Sequence, residues 1–323
     1  MAGGKERILR RRIKSVQTTK KITKAMELIA ASRIVKSQQR VLAARPYADQ
    51  ITEVIRNLAA AGAGGGAALL APREQVDTVV TVVIGGDRGL CGGYNTNAIR
   101  MAERNQLAQR REGKSTRIIT VGRKIESYFR FRGFDIDASF SGFLDEPHYE
   151  NARDIADAVV PKFEDGTYDR VDIVYTQFLS AGTQKVVTRQ FLPLDTSSIV
   201  DDADAGGPAA DYEFEPGPDA ILDRLLPRYA EARLFSALLE GAASFFAAQQ
   251  RAMKSATDNA EELIIKLSRE MNRVRQDAIT TEIMEIVGGA EALRQGQSDG
   301  MDLIPDNALA IKDLLVDTTD RNR

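Results

Sequence analysis

The stretch best suited to chemistry is Gly85-Gly86-Asp87-Arg88-Gly89-Leu90-Cys91-Gly92-Gly93-Tyr94-Asn95. It follows an apolar run, Asp77 to Ile84, and precedes a helical pattern, which is where α/β folds aim backbone N–H groups at a phosphate. Yet the spacing is neither Gly-x-Gly-x-x-Gly nor Gly-x-x-x-x-Gly-Lys-Ser/Thr, and no lysine heads the next helix. Three readings stand: a nucleotide site, a partner-binding loop carried by Asp87, Arg88, Cys91, Gly92 and Gly93, or a tight turn that serves packing. Other chemistry is more narrowly bounded. His148 is the only histidine, so Ser-His-Asp catalysis would rest on that residue and His-rich metal sites are excluded. Cys91 is the only cysteine, which rules out an internal disulfide and thiol switching within the chain and fits a reducing compartment. An enzyme built on this chain would need carboxylates, lysines or a bound nucleotide.

Two charged stretches are candidates for binding. Lys5, Arg7, Arg10, Arg11, Arg12, Lys14, Lys20, Lys21 and Lys24 face a single acid, Glu6, although the whole chain carries a net charge of −2. Such a run suits nucleic-acid phosphates, acidic lipid or an acidic protein, or is simply a solvated helix face. Nothing nearby supplies stacking aromatics. Arg273, Arg275, Gln276, Thr280 and Glu282 form a polar side of a later helix, which on pattern alone is a wet face.

The elements that must position these residues begin with two long helices. From Tyr229 to Leu293 no proline intervenes and glycine appears only near the ends, which allows one helix about 95 Å long. Ile264, Leu267, Met271, Val274 and Ala278 form a seam at three- and four-residue spacing that drifts toward Ile279, Ile283 and Ile286. Such a seam needs a partner helix. Glu6 to Leu58 supplies one, with Pro46 expected to bend rather than end it. Its apolar lines are read as Ile22, Met26 and Ile29, then Leu28, Ala31, Val35 and Leu42. The small residues Ala25, Ala30, Ala31 and Ser32 would permit close approach.

Between the helices the period changes. Asp77–Ile84, Arg117–Val121, Val171–Phe178 and Val186–Leu192 read as strands, the last two as a hairpin through residues 180–184. Asn95–Arg111, Arg123–Arg132 and Glu150–Phe163 read as helices. This alternation predicts a mainly parallel sheet with helices on both faces. The expected organisation is an α/β class chain. It has a coiled-coil helix over 1–58, a Gly/Ala-rich linker over 59–76, a Rossmann-like α/β domain over 77–200 and an acidic loop over 201–218. Residues 219–293 form the second coiled-coil helix, capped by Asp219, and 294–323 an acidic tail with six aspartates. Two long helices from opposite ends have only each other to pair with, which predicts an antiparallel coiled coil. Ala59–Ala71 is too short and too glycine-rich to span a bilayer, and no signal-peptide core follows the charged N-terminus.

Four segments carry a resemblance. Ile22-Thr-Lys-Ala-Met-Glu-Leu-Ile-Ala-Ala-Ser-Arg33, Asp87-Arg-Gly-Leu-Cys-Gly-Gly-Tyr-Asn95, Ala252-Met-Lys-Ser-Ala-Thr-Asp-Asn-Ala260 and the run from Arg275 to Ala290 resemble, in order, the signatures of the gamma subunits of F-type ATP synthases. The resemblance implies a non-catalytic central-stalk rotor of the proton-translocating enzyme, without cofactor. It would couple rotation of the membrane c-ring to the conformational cycle of catalytic beta subunits. The partners implied are the alpha, beta and epsilon subunits and the c-ring, with no nucleic acid, and membrane contact only through them, at the cytoplasmic face of a bacterial plasma membrane. It further implies beta-subunit contacts at Lys20, Lys21, Lys24, Met26, Arg275, Gln276, Thr280 and Glu282, and c-ring contacts at Tyr212, Phe214 and Glu215. Departures are Gln249 where relatives often carry Arg, with Arg251 two residues on, Phe245-Phe246 in place of a more polar pair, and the longer acidic tail. A nucleotide-dependent enzyme and a static coiled-coil scaffold are the competing readings.

Overall fold

The computed structural model describes residues 2–60, 67–194, 215 and 217–301, with side chains for 4–58, 67–194, 215 and 217–294. Among these described residues ten elements follow in order: α1 (Ala2–Ala60), β1 (Thr78–Ile84), α2 (Tyr94–Arg111), β2 (Ser115–Val121), α3 (Arg123–Phe131), β3 (Ile136–Phe140), α4 (Tyr149–Glu164), β4 (Arg170–Phe178), β5 (Gln184–Leu192) and α5 (Pro218–Met301). Two compact units divide the chain: residues 21–258, and residues 1–20 together with 259–323.

The larger unit holds a five-stranded sheet in the order β3-β2-β1-β4-β5. β1 pairs in parallel with β2 and β4, β2 in parallel with β3, and β5 closes one edge antiparallel to β4. The expected hairpin is therefore present. β1 is apolar without alternation because it is covered on both faces. Val80, Val82 and Ile84 face a large core shared with α4, the end of α1 (Ile51, Ile55, Leu58) and the start of α5 (Leu222, Leu226, Leu234). Val83, with Ile118 and Val174, faces α2 and α3 through Ile99, Ala102, Ile125 and Phe129. Each such Val or Ile buried contributes about 1.5–3 kcal/mol relative to exposure. β3 escapes sequence reading: Ile-Asp-Ala-Ser-Phe is a short edge strand, only partly buried, that carries two poor strand formers.

Within the larger unit α1 and α5 run antiparallel. Thr23 meets Thr257, their hydroxyls 2.8 Å apart, while Ile34 packs beside Phe245 and Phe246, and the guanidinium of Arg33 lies 5.5 Å from the Phe246 ring centre. The buried face of α1 here is Thr23, Ala30, Ile34 and Ser37. This corrects the expected seam. Ile22, Leu28, Ile29, Val35 and Leu42 are each more than half exposed, and only Met26 and Ala31 of those lines are partly covered. The reason is steric, since small and hydroxyl-bearing residues let the two backbones come close while the larger aliphatics point away. Of the small residues, Ala30 is buried, Ala31 half-buried, and Ala25 and Ser32 exposed. α1 continues through Pro46 without interruption.

In the smaller unit the same pairing persists, with Lys20 Nζ 3.1 Å from Glu261. The predicted α5 seam is present: Leu267 is buried and Ile264, Met271, Val274 and Ala278 are half-buried. Past that point the structure departs from expectation, because Ile279, Ile283, Met284, Ile286 and Val287 are exposed. The antiparallel register exhausts α1, which begins at Ala2, and the later turns of α5 have no α1 turn beside them. α5 also begins and ends differently from expectation. Pro218 opens it, with Asp219 in the first turn rather than at the cap, and it passes through Gly296 and Gly300 to Met301.

Candidate functional site

The glycine-rich stretch leaves β1 at the carboxyl edge of the sheet. β1 has β2 on one side and β4 on the other, so the chain reverses its winding there, and open α/β sheets bind ligands at such a reversal. The turn itself is committed to packing. Gly86 N–H donates to Asn95 Oδ1 at 2.7 Å, and Asn95 Nδ2 donates to Arg88 O at 3.0 Å and to Cys91 Sγ at 3.3 Å. Asp87, its side chain 5% exposed, accepts backbone N–H groups of Arg123 (3.1 Å), Gly142 (2.8 Å) and Leu144 (3.4 Å). One carboxylate thereby ties together the loops that follow β1, β2 and β3. A Cβ on Gly122 would lie within 3.1 Å of the carbonyls of Gly85 and Gly86, and Gly122 has φ +120°, so only glycine fits where these loops meet.

The same stretch braces α5. Tyr94 donates its hydroxyl to Gly241 O at 3.0 Å and meets the Phe245 ring edge-on at 5.5 Å. A Cβ on Gly86 would come within 3.1 Å of that ring. Arg88 pairs with Asp145 at 2.6 Å and lies over Phe245, 6.0 Å from its centre. Burial pushes the Tyr94 phenol far above its ordinary range and raises the Cys91 thiol, so neither is a poised nucleophile. Phe245 and Phe246, read from sequence only as a departure, are the hydrophobic seat of this brace. Their partners lie far away along the chain, and only apolar character marked them.

The other site residues fall into place separately. In the larger unit Lys21 is exposed, Lys24 pairs with Glu27 at 3.2 Å, Met26 is half-buried and Glu215 is exposed. Tyr212 and Phe214 lie outside the described residues. In the smaller unit Lys20 holds Glu261, while Arg275, Gln276, Thr280 and Glu282 are all exposed. Among the described residues no cluster of His, Cys, Asp or Glu could hold a metal ion, and no helix is long and apolar enough to cross a membrane.

Residues 5–293 match the family model described as ATP synthase. The chain is 51% identical over 297 residues to the ATP synthase gamma chain of Parafrankia sp. (strain EAN1pec), covering 91% of this chain and 99% of that one. It is 47% identical over 301 residues to the gamma chain of Mycolicibacterium smegmatis, covering 89% and 97%. A chain of the Euglena gracilis mitochondrial ATP synthase (OSCP/F1/c-ring) superposes with a TM-score of 0.61 at 19% identity, over 91% of this chain and 96% of that one. A chain of the Tetrahymena thermophila mitochondrial ATP synthase central stalk and c-ring gives 0.56 at 22% identity, over 73% and 99%.

Proposed function

The chain belongs to the ATP synthase gamma-chain family, and from that premise we propose how its surfaces serve a central-stalk rotor that couples c-ring rotation to the catalytic beta subunits. The relatives named above are gamma chains, and the fold is that of central-stalk chains. A rotor changes the state of a surrounding subunit only by contacting its conformations unequally, since a contact of equal strength in each shifts nothing. The observation that carries the reading is the stretch of α5 beyond Ala278. It presents Thr280 and Glu282 beside Ile283, Ile286 and Val287, all exposed, with no α1 turn alongside.

In this reading Arg275, Gln276, Thr280 and Glu282 make polar contacts to beta subunits. Lys20, Lys21 and Lys24 face acidic beta loops, and Met26 supports that contact from α1. Tyr212, Phe214 and Glu215 meet the c-ring beside an epsilon subunit. Arg88, Cys91, Gly92 and Gly93 form a packing loop against α5, and Asp87 ties the neighbouring loops behind it. The chain itself performs no catalysis and binds no cofactor for it, and it reaches the membrane only through partners, at the cytoplasmic face.

The test is coupling in membrane vesicles carrying Gln276→Leu with Thr280→Val. The ratio of ions pumped to ATP hydrolysed should fall while the assembled complex stays at wild-type abundance. An unchanged ratio would remove these residues from the contact.

A further inference from the structure

Four residues of α5, Arg233, Glu240, Ser244 and Arg251, follow one another at steps of seven, four and seven, which puts them on one face of the helix. Within the larger unit that face lies against the β4–β5 hairpin. Arg233 Nη2 donates to Gln190 O at 3.1 Å, Glu240 accepts the Phe178 N–H at 3.2 Å, and Ser244 Oγ donates to Thr176 O at 3.0 Å. Arg251 closes the line at the turn between the strands: Nη1 donates to Ala181 O at 3.3 Å and to Gly182 O at 2.8 Å, and Nη2 donates to Gln184 Oε1. The seam follows about 27 Å of helix.

These ties differ in kind from the apolar seat. Phe245 and Phe246 leave α5 on other sides and pack with Tyr94, Ile34 and Cys91. Apolar burial has no preferred direction, whereas a hydrogen bond weakens steeply as its angle closes. The seam therefore selects one angle of α5 about its own axis, which the seat alone does not. Ser244 is its buried middle and Arg251 its exposed end. An exposed charged side chain ordinarily contributes little, but this one bonds three acceptors of a single turn with one planar fork, a geometry that lysine cannot reproduce. Arg251 stands about 200° round the helix from Gln249, so the two positions serve different neighbours.

We propose that Arg251 is a positioning residue that fixes the angle between the α/β domain and α5, by locking the β4–β5 turn to the helix at the far end of the seam. This role presupposes the rotor reading above, since a rotor must carry torque from its base into its shaft, and the hairpin offers a hydrogen-bonded path along α5. Slip at this joint would absorb the motion of the base as twist instead of passing it to the helix. Arg251 makes three bonds, against the one named for each of Arg233, Glu240 and Ser244. If such bonds act in parallel with similar strength, its loss should about double the angular variance of the joint.

Single-molecule rotation of the assembled complex tests it, with the complex fixed through its beta subunits and a bead on the α/β domain at Phe131→Cys. Phe131 is 87% exposed and Cys91 is buried, so the label goes to one place. During pauses that wait for ATP, Arg251→Gln and Arg251→Lys should both widen the angular variance of the bead, by up to about two-fold, while the rotation rate without load stays parental. Gln184→Ala removes one acceptor from the hairpin side; it should widen the variance less and add nothing to Arg251→Gln. Parental variance in Arg251→Gln or in Arg251→Lys, or full addition in the double variant, overturns this role alone. A parent that shows no ATP-driven rotation overturns the rotor reading and this role together. Gln184→Ala leaves α5 untouched, so it still decides the matter, by wider or parental variance, if Arg251→Gln lowers the yield of complex.

Discussion

Replacing Asp87 should loosen three loops at once. Its two carboxylate oxygens accept N–H groups from Arg123, Gly142 and Leu144, at 3.1, 2.8 and 3.4 Å, from an almost fully buried position. Hydrogen bonds to a charged acceptor are worth about 1.5–3 kcal/mol each, and a buried donor stripped of its acceptor costs about 1–3 kcal/mol. The longest of the three contributes least. Asp87→Asn keeps one oxygen but turns an NH2 toward a backbone donor, and should cost about 2 kcal/mol; Asp87→Ala abandons all three donors and should cost about 4 kcal/mol. Urea unfolding followed by tyrosine fluorescence reads the magnitude, since tyrosines of α2, α3, α4 and β4 lie in this unit. Hydrogen exchange reads the location: the amides of Arg123, Gly142 and Leu144 should lose protection together while those of β4 keep theirs. If both variants stay within about 0.5 kcal/mol of the parent, or if Gly142 exchanges at the parental rate, the carboxylate does not hold the loops.

Neighbouring positions on α1 should respond oppositely. Ile34→Ala, within the Phe245–Phe246 cluster, should cost about 2–4 kcal/mol, whereas Val35→Thr, more than half exposed, should stay within about 0.5 kcal/mol, both by chemical denaturation. Glu240 gives a pH test. Burial raises its carboxyl above the ordinary value of 4.5, against the lowering effect of the Phe178 N–H at 3.2 Å. The folded state therefore holds this proton more tightly than the unfolded chain. Its stabilisation is complete below pH 4.5 and is lost as pH rises through the raised value. Glu240→Gln should accordingly gain thermal midpoint relative to the parent as pH rises from 4 toward 7, and equal midpoint differences at both ends would refute the assignment.

The readability of the chain followed solvent exposure. β1 and β4 stood out because strands buried on both faces are rich in β-branched and aromatic residues at successive positions, while β3, at an edge and half-covered, carried no such mark. The α5 seam was plain because its large aliphatics face α1. The α1 seam was not, because there the most apolar residues, Leu28, Val35 and Leu42, point outward and Thr23, Ala30 and Ser37 point in. Hydrophobicity marks which face wants covering; it does not record how closely two backbones approach. The glycine-rich stretch was visible as a loop between β1 and α2. Its purpose depended on Gly241, Phe245 and Ala252, residues that spacing within the motif cannot reveal.

The turns of α5 past Ile279 have a consequence for how the isolated subunit behaves. A helix gains most of its persistence from a packed face, and here that face is bare. Gly288 and Gly289 fall in the same stretch, each costing about 1 kcal/mol relative to alanine. Freed from its neighbours, the chain should fray from this end inward. Order in these turns of α5 should accordingly rise when a partner surface covers their bare apolar side chains.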